Sequence, residues 1–199
     1  MMKGIFLRNY TISLECAIQP CFSFILTLVV IVSGCGRQLT ITPTNKPTNL
    51  AVVSKKFKGV IFTESYLIIP VPSNSAAIKR FTPTREDIVL AESIITDQIK
   101  NLNKDRINQI RGNPIIEKNL NSYFRQYVGF INAKGENVIY INFHWNRYSL
   151  MDRLKGDSDD RLNFEDDFNH TFDGGSYYWQ IKVNLTERIL FDLEVNGFG

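Results

Sequence analysis

The chain has 199 residues, a formal net charge of +3, and 44% hydrophobic and 12% aromatic residues. That apolar and aromatic content excludes a disordered chain. The near-balanced charge argues against a nucleic-acid binder.

Lys3 and Arg8 make a positive start, with Glu15 as an untypical intrusion, and no charge follows until Arg37. Gln19 and Pro20 interrupt this uncharged stretch. The apolar run left, Cys21 to Val32, fits the ~7–15 residues of a signal-peptide core and falls short of the ~20 that span a bilayer. A retained anchor helix and a soluble secreted chain are the weaker rivals. The run ends in Val32-Ser33-Gly34-Cys35. This tetrapeptide resembles the lipobox of bacterial lipoproteins. In that family the cysteine thiol receives a diacylglyceryl group, a peptidase cuts just before it, and the new amino terminus is usually acylated. The resemblance implies that residues 1–34 are a signal peptide and that Cys35 becomes the lipidated first residue, carrying palmitate or a similar chain.

The cysteines are Cys16, Cys21 and Cys35. With two in the leader and one lipidated, the mature body has no free thiol. It then has no disulfide framework, thiolate metal site or cysteine nucleophile. Each buried methylene contributes about 0.8 kcal/mol, and one acyl chain binds only marginally. Two or three chains hold a protein on the membrane.

Gly36 to Asn49 is rich in Thr, Pro and Asn. It reads as a flexible tether, so residues 35–54 are expected to be a lipidated linker and 55–199 a single domain. No acidic cluster follows Cys35. In some Bacteroidota lipoproteins such a cluster is thought to direct export to the surface. Its absence favours the periplasmic face of the outer membrane.

Lys58 to Pro72 predicts one or two strands from Val60-Ile61-Phe62 and Tyr66-Leu67-Ile68-Ile69, closed by Pro70 and Pro72. Residues 73–79 read as a loop. Thr82-Pro83-Thr84-Arg85-Glu86-Asp87 carries a capping threonine, a first-turn proline and two carboxylates. Ile88, Ala91, Ile95, Ile99 and Leu102 then recur at helical spacing, predicting an amphipathic helix over 83–103. Ile107 to Leu120 suggests a short helical piece broken at Gly112-Asn113-Pro114.

From Tyr123 the period becomes two. Strands are expected at Tyr123–Ile131, Asn137–Trp145, Tyr177–Leu185 and Ile189–Val195, with turns at 132–136, 173–175 and 186–188 and a polar excursion over 146–172. The alternation implies one packed and one wet face. The fold class expected is α+β, with one long helix packed on a curved antiparallel sheet of four to five strands. That order resembles the cystatin-like and NTF2-like arrangements. The stretch D-G-G-S-Y-Y-W-Q-I-K-V-N-L with L-F-D-L-E-V-N-G, and the earlier R-Q-Y-V-G-F-I-N, is similar to small lipoproteins of Bacteroidota.

Candidate chemistry is sparse. His144 and His170 would need two more zinc ligands, so separate histidines are the simpler reading. Asp157, Asp159, Asp160, Glu165, Asp166 and Asp167 form an acidic loop. It lacks EF-hand spacing, because Leu162 stands where a glycine is required, and it reads as solvated before it reads as a weak cation site. No serine-hydrolase elbow, P-loop or dinucleotide fingerprint occurs. The aromatic group Tyr123, Phe124, Tyr127, Phe130, Tyr140, Phe143, Trp145, Tyr177, Tyr178 and Trp179 is split by alternation between two faces. Half is core. The rest, including Tyr178, faces either a sugar, peptide or protein partner or a covering segment such as 146–172.

The expectation is a lipid-anchored envelope protein with a non-catalytic binding or scaffolding domain. Its partner would be another envelope protein or a cell-wall component. No catalytic, cofactor or metal residue is assigned. The rivals are a hydrolase-like enzyme using the acidic loop and a histidine, and an inhibitor or immunity-type module.

Overall fold

The computed structural model describes residues 39–67, 79–110, 112–147 and 161–198, with the backbone alone at 161–163. All lie in the second of two units into which the chain divides, residues 35–199. Cys35, Asp157, Asp159 and Asp160, the side chain of Leu162, Ile68 to Pro72, and the 73–78 part of the expected loop lie outside what is described. The fold is α+β, built on one mixed sheet of eight strands.

The first two strands lie where a tether was expected. Thr40–Pro43 (β1) and Asn49–Val53 (β2) form an antiparallel hairpin, with Thr40 opposite Val53 and Pro43 opposite Leu50. The prolines punctuate this hairpin and do not prevent it. Pro43 ends an edge strand, where no N–H is demanded, and Pro47 sits in the turn. β3 (Lys58–Phe62) continues the meander and pairs antiparallel with β2. Only this one strand forms in the first part of the expected 58–72 run.

β4 (Lys79–Phe81) leads into helix α1 (Arg85–Leu102). Thr84, not Thr82, is the N-cap. Its hydroxyl accepts from Asp87 N at 3.2 Å and Asp87 Oδ2 accepts from Thr84 N at 2.9 Å, a reciprocal capping box. Ile88, Ala91, Ile94, Ile95 and Ile99 are buried along one stripe, whereas Leu102 at its end is 40% exposed. A short helix α2 (Ile116–Asn119) and a 3₁₀ turn precede β5 (Tyr123–Ile131).

β6 (Asn137–Trp145), β7 (Tyr178–Asn184) and β8 (Ile189–Val195) complete the sheet in the order β1-β2-β3-β5-β6-β7-β8. The four strands expected after residue 123 are present, but two expectations need correction. The sheet has eight strands, not four to five, and it is not all antiparallel. β3 and β5 run parallel, Gly59 opposite Arg125, because the chain crosses over through β4 and α1 between them. β4 pairs with β5 beyond the end of β3. There Gly129 lets β4 approach, since a Cβ would come within 2.5 Å of Phe81 O.

Helix α1 covers one face of the sheet. Against it pack Ile61, Tyr127, Ile141, Phe143, Trp179 and Ile181, with the Phe143 and Trp179 rings stacked at 3.7 Å. The opposite face is also partly dry. Phe124, Phe130 and Tyr140, each at most 5% exposed, are covered by Phe164 and Phe168 from the returning segment. That segment starts as helix α3 (Arg161–Asp166) and runs on as an irregular strap to Asp173. The one-wet-face pattern survives only toward β8, where Lys182–Asp192 at 2.8 Å and Gln180–Glu194 at 3.1 Å form polar pairs.

The outer edge at β8 is blunted. Gln98 accepts from Leu190 N at 3.0 Å and donates to Arg188 O at 2.8 Å, and Asn108 donates to Val195 O at 2.8 Å. A bulge opposite β7 places Asp192 at φ +49°. Among the described residues no helix is long and apolar enough to cross a membrane.

Candidate functional site

Three groups of polar or accessible side chains stand out, and each is set by strand or helix periodicity. The first lies between the sheet and the strap. Gln126 on β5 and Asn142 and His144 on β6 point to the strap face, where Phe124, Val128, Val138 and Tyr140 supply apolar neighbours. Gln126 is fully buried. Its amide donates to Phe164 O and Asp167 O, both at 2.9 Å. Its oxygen accepts from Asn169 N at 3.1 Å and from Asn142 Nδ2 at 3.3 Å.

His144 Nε2 lies 3.0 Å from the same oxygen. An amide oxygen is an acceptor only, so Nε2 carries the proton and Nδ1 is bare. Nδ1 is buried with no hydrogen-bond partner among the described residues. The ring stacks on Phe164 at 4.1 Å. Burial, reinforced by nearby His170, pushes its pKa down to about 3. His144 is therefore a neutral wedge sealed from solvent, and a general base must reach the proton it removes.

His170 is half-buried between Phe168 and Phe172, and its Nδ1 also lacks a partner among the described residues. Of the acidic loop, Asp167 pairs with Lys46 at 2.9 Å, while the Glu165, Asp166 and Asp167 side chains are exposed. Apart from that pair, the segment is held mainly through its backbone carbonyls. Asn49 on β2 donates to Glu165 O and Asp166 O at 2.9 Å each, and Asn196 donates to Thr171 O and, at 3.2 Å, to Asp173 O. Among the described residues no three His, Cys, Asp or Glu side chains converge.

The second group lies under α1. Arg125, only 1% exposed, donates from Nε to Glu92 at 2.8 Å and from its Nη atoms to Tyr123 O and Leu120 O. Tyr127 also donates to Glu92, at 2.7 Å. The guanidinium lies 4.0 Å over the Phe57 ring. Burial, then the Glu92 charge, drive the Tyr127 pKa far up, so the phenol stays a donor. Both bonds to Glu92 tie the helix to β5.

The third group is an open groove of about 160 Å³ where α1 ends against β8. Leu102, Ile107, Leu193 and Val195 line it, with Asp105 and Arg106 beside them. Ile107 is 70% exposed.

The aromatic group divides as alternation requires. Tyr123, Tyr127, Phe143 and Trp179 face the helix, and Phe124, Phe130 and Tyr140 lie beneath the strap. Tyr178 sits edge-on to His144 at 5.8 Å and is half-buried. Sequence reasoning missed Gln126, Asn142, Arg125 and Glu92. Three of them interrupt an apolar row at the correct period: Gln126 between Phe124 and Val128, Arg125 between Tyr123 and Tyr127, and Glu92 between Ile88 and Ile95 on the helical stripe; Asn142 follows Tyr140 on the same face. No known family model, curated protein or solved structure matches the chain.

Proposed function

We propose that this chain is a lipid-anchored cell-envelope protein, held through Cys35 on the periplasmic face of the outer membrane. Its domain serves as a non-catalytic binding or scaffolding module for another envelope protein or a cell-wall component. The anchor is supported by the lipobox-like Val32-Ser33-Gly34-Cys35 and by its place in the chain. The second unit begins at Cys35, and Leu39, the first described residue, is 5% exposed. An acyl chain at Cys35 would join the domain at its natural edge.

The binding role rests on the groove beside α1. Small-molecule sites usually occupy about 300–1,000 Å³. A groove of about 160 Å³ lined by Leu102, Ile107, Leu193 and Val195 among polar neighbours suits one or two side chains of a partner. Cells grown with radiolabelled palmitate should label the wild type and leave Cys35→Ser unlabelled. An unlabelled wild type overturns the anchor. Crosslinking in native envelopes should recover a partner band that Ile107→Arg weakens at least about tenfold, a loss of ~1.4 kcal/mol, with palmitate incorporation unchanged. An undiminished band overturns the groove as the binding face.

A further inference from the structure

The sequence from Arg37 to Thr63 holds five cationic residues and no carboxylate. Lys46 is spent on Asp167 at the β1–β2 turn. Lys55, Lys56 and Lys58 are all exposed and sit together at the β2–β3 turn. Thr40, Val53 and Lys58 form one row across three strands, so this turn lies beside the point where the chain enters the sheet. Arg85 marks the same point. Its Nε donates to Leu39 O at 2.8 Å, and its one carboxylate neighbour among the described residues, Glu86, is 3.4 Å away.

The turn is held rigid from below. Ser54 Oγ accepts from Lys56 N at 3.1 Å and from Phe57 N at 3.0 Å, and the Phe57 ring lies under the Arg125 guanidinium at 4.0 Å. The lysines are therefore presented on a fixed platform. Leu39 is four residues after Cys35. At ~3.3–3.6 Å per residue, that stretch spans at most about 14 Å. A lipid on Cys35 keeps the entry row within roughly that distance of the bilayer, close to the ~8–10 Å over which an anionic surface acts at physiological salt.

We infer that this hairpin tip, Lys55, Lys56 and Lys58, is the face that lies on the anionic phospholipid headgroups of the leaflet carrying the anchor. The inference rests on the lipid-anchor reading. The acyl chains supply the attachment and the lysines supply its orientation. Each lysine near such a surface shifts that orientation about fivefold. The strands then stand away from the bilayer. β3 runs parallel to β5 from Gly59 opposite Arg125 to Phe62 opposite Val128, so the 132–136 turn after β5 lies at the far end.

The test uses the mature lipidated protein, purified from envelopes and reconstituted in phosphatidylcholine vesicles with or without phosphatidylglycerol. A fluorophore is placed on Val53→Cys, near the tip, or Lys134→Cys, at the far turn, and nitroxide headgroup lipids act as quenchers. Phosphatidylglycerol should raise the Val53-to-Lys134 quenching ratio. The triple variant Lys55→Gln, Lys56→Gln, Lys58→Gln should lower it at least about fivefold. Salt at about 1 M, where the Debye length is ~3 Å, should do the same. Equal ratios in both vesicle types, or no response to the triple variant, overturn the orientation while palmitate labelling leaves the anchor standing. Absent palmitate on the wild type overturns both.

Discussion

The two faces of the sheet are dry for different reasons. On the helix face, α1 supplies volume: isoleucines at helical spacing fill the space above Tyr127, Ile141, Phe143 and Trp179. On the strap face, an irregular segment has no periodic apolar stripe to offer. It is held by side-chain amides on the sheet that donate to its carbonyls. Asn49, Gln126, Asn142 and Asn196 reach residues 164 to 173 in this way. The first device is non-directional and tolerant of shape, since burial scales with area. The second is directional and fails locally if one donor is lost, because a buried carbonyl without a partner costs about 1–3 kcal/mol.

That contrast can be broken experimentally, beginning with the helix face. Trp179→Ala removes a fully buried ring stacked on Phe143. It should cost about 3–5 kcal/mol and lower the denaturation midpoint of the whole domain, read by circular dichroism. If only the strap loosens, the two faces are not separately built.

Acid should act on the other face. His144 has its folded pKa at about 3, below the ordinary histidine value. The opened state therefore binds the extra proton, so its stabilising contribution is complete above ~6.5 and is lost as pH falls toward 3. The full loss is on the order of 5 kcal/mol. Hydrogen exchange between pH 6.5 and 4 should show the 164–170 amides opening before those of β5 and α1. In His144→Phe that early step should vanish. Equal protection loss on both faces would count against the contrast.

The smallest effect expected comes from Gln126→Leu, which keeps the bulk and strips the donors from Phe164 O and Asp167 O. A cost of about 2 kcal/mol is expected. It should appear as faster proteolysis within the strap with little change in the midpoint of the helix-face core. A midpoint shift as large as that of Trp179→Ala would show the strap to be part of the core.

Helix α1 was legible because its stripe and its Thr84–Asp87 capping box are local. The strands after residue 123 were legible because alternation is local too. β1 and β2 were not. Four residues of Thr40–Pro43 make too short a run for alternation to register, and prolines at 43 and 47 mimic a linker. The parallel step between β3 and β5 was also hidden, because strand order is a long-range property. The strap left no periodic trace at all, since its bonds join residues as far apart as Asn49 and Asp166. What the sequence did carry was the set of misfits, Glu92, Arg125, Gln126 and Asn142, each placed where an apolar residue would be routine. Such misfits mark polar ties between layers, and none of them resembles a reactive group.

The treatment of β8 bears on how copies of this molecule behave when crowded. Its outward N–H and C=O groups near both ends are already engaged by Gln98 and Asn108, and the kink at Asp192 breaks the flat ribbon that a neighbouring chain would need for pairing. At the other margin, Pro43 deletes a donor from β1. Lateral growth of one sheet into the next is therefore discouraged on both sides.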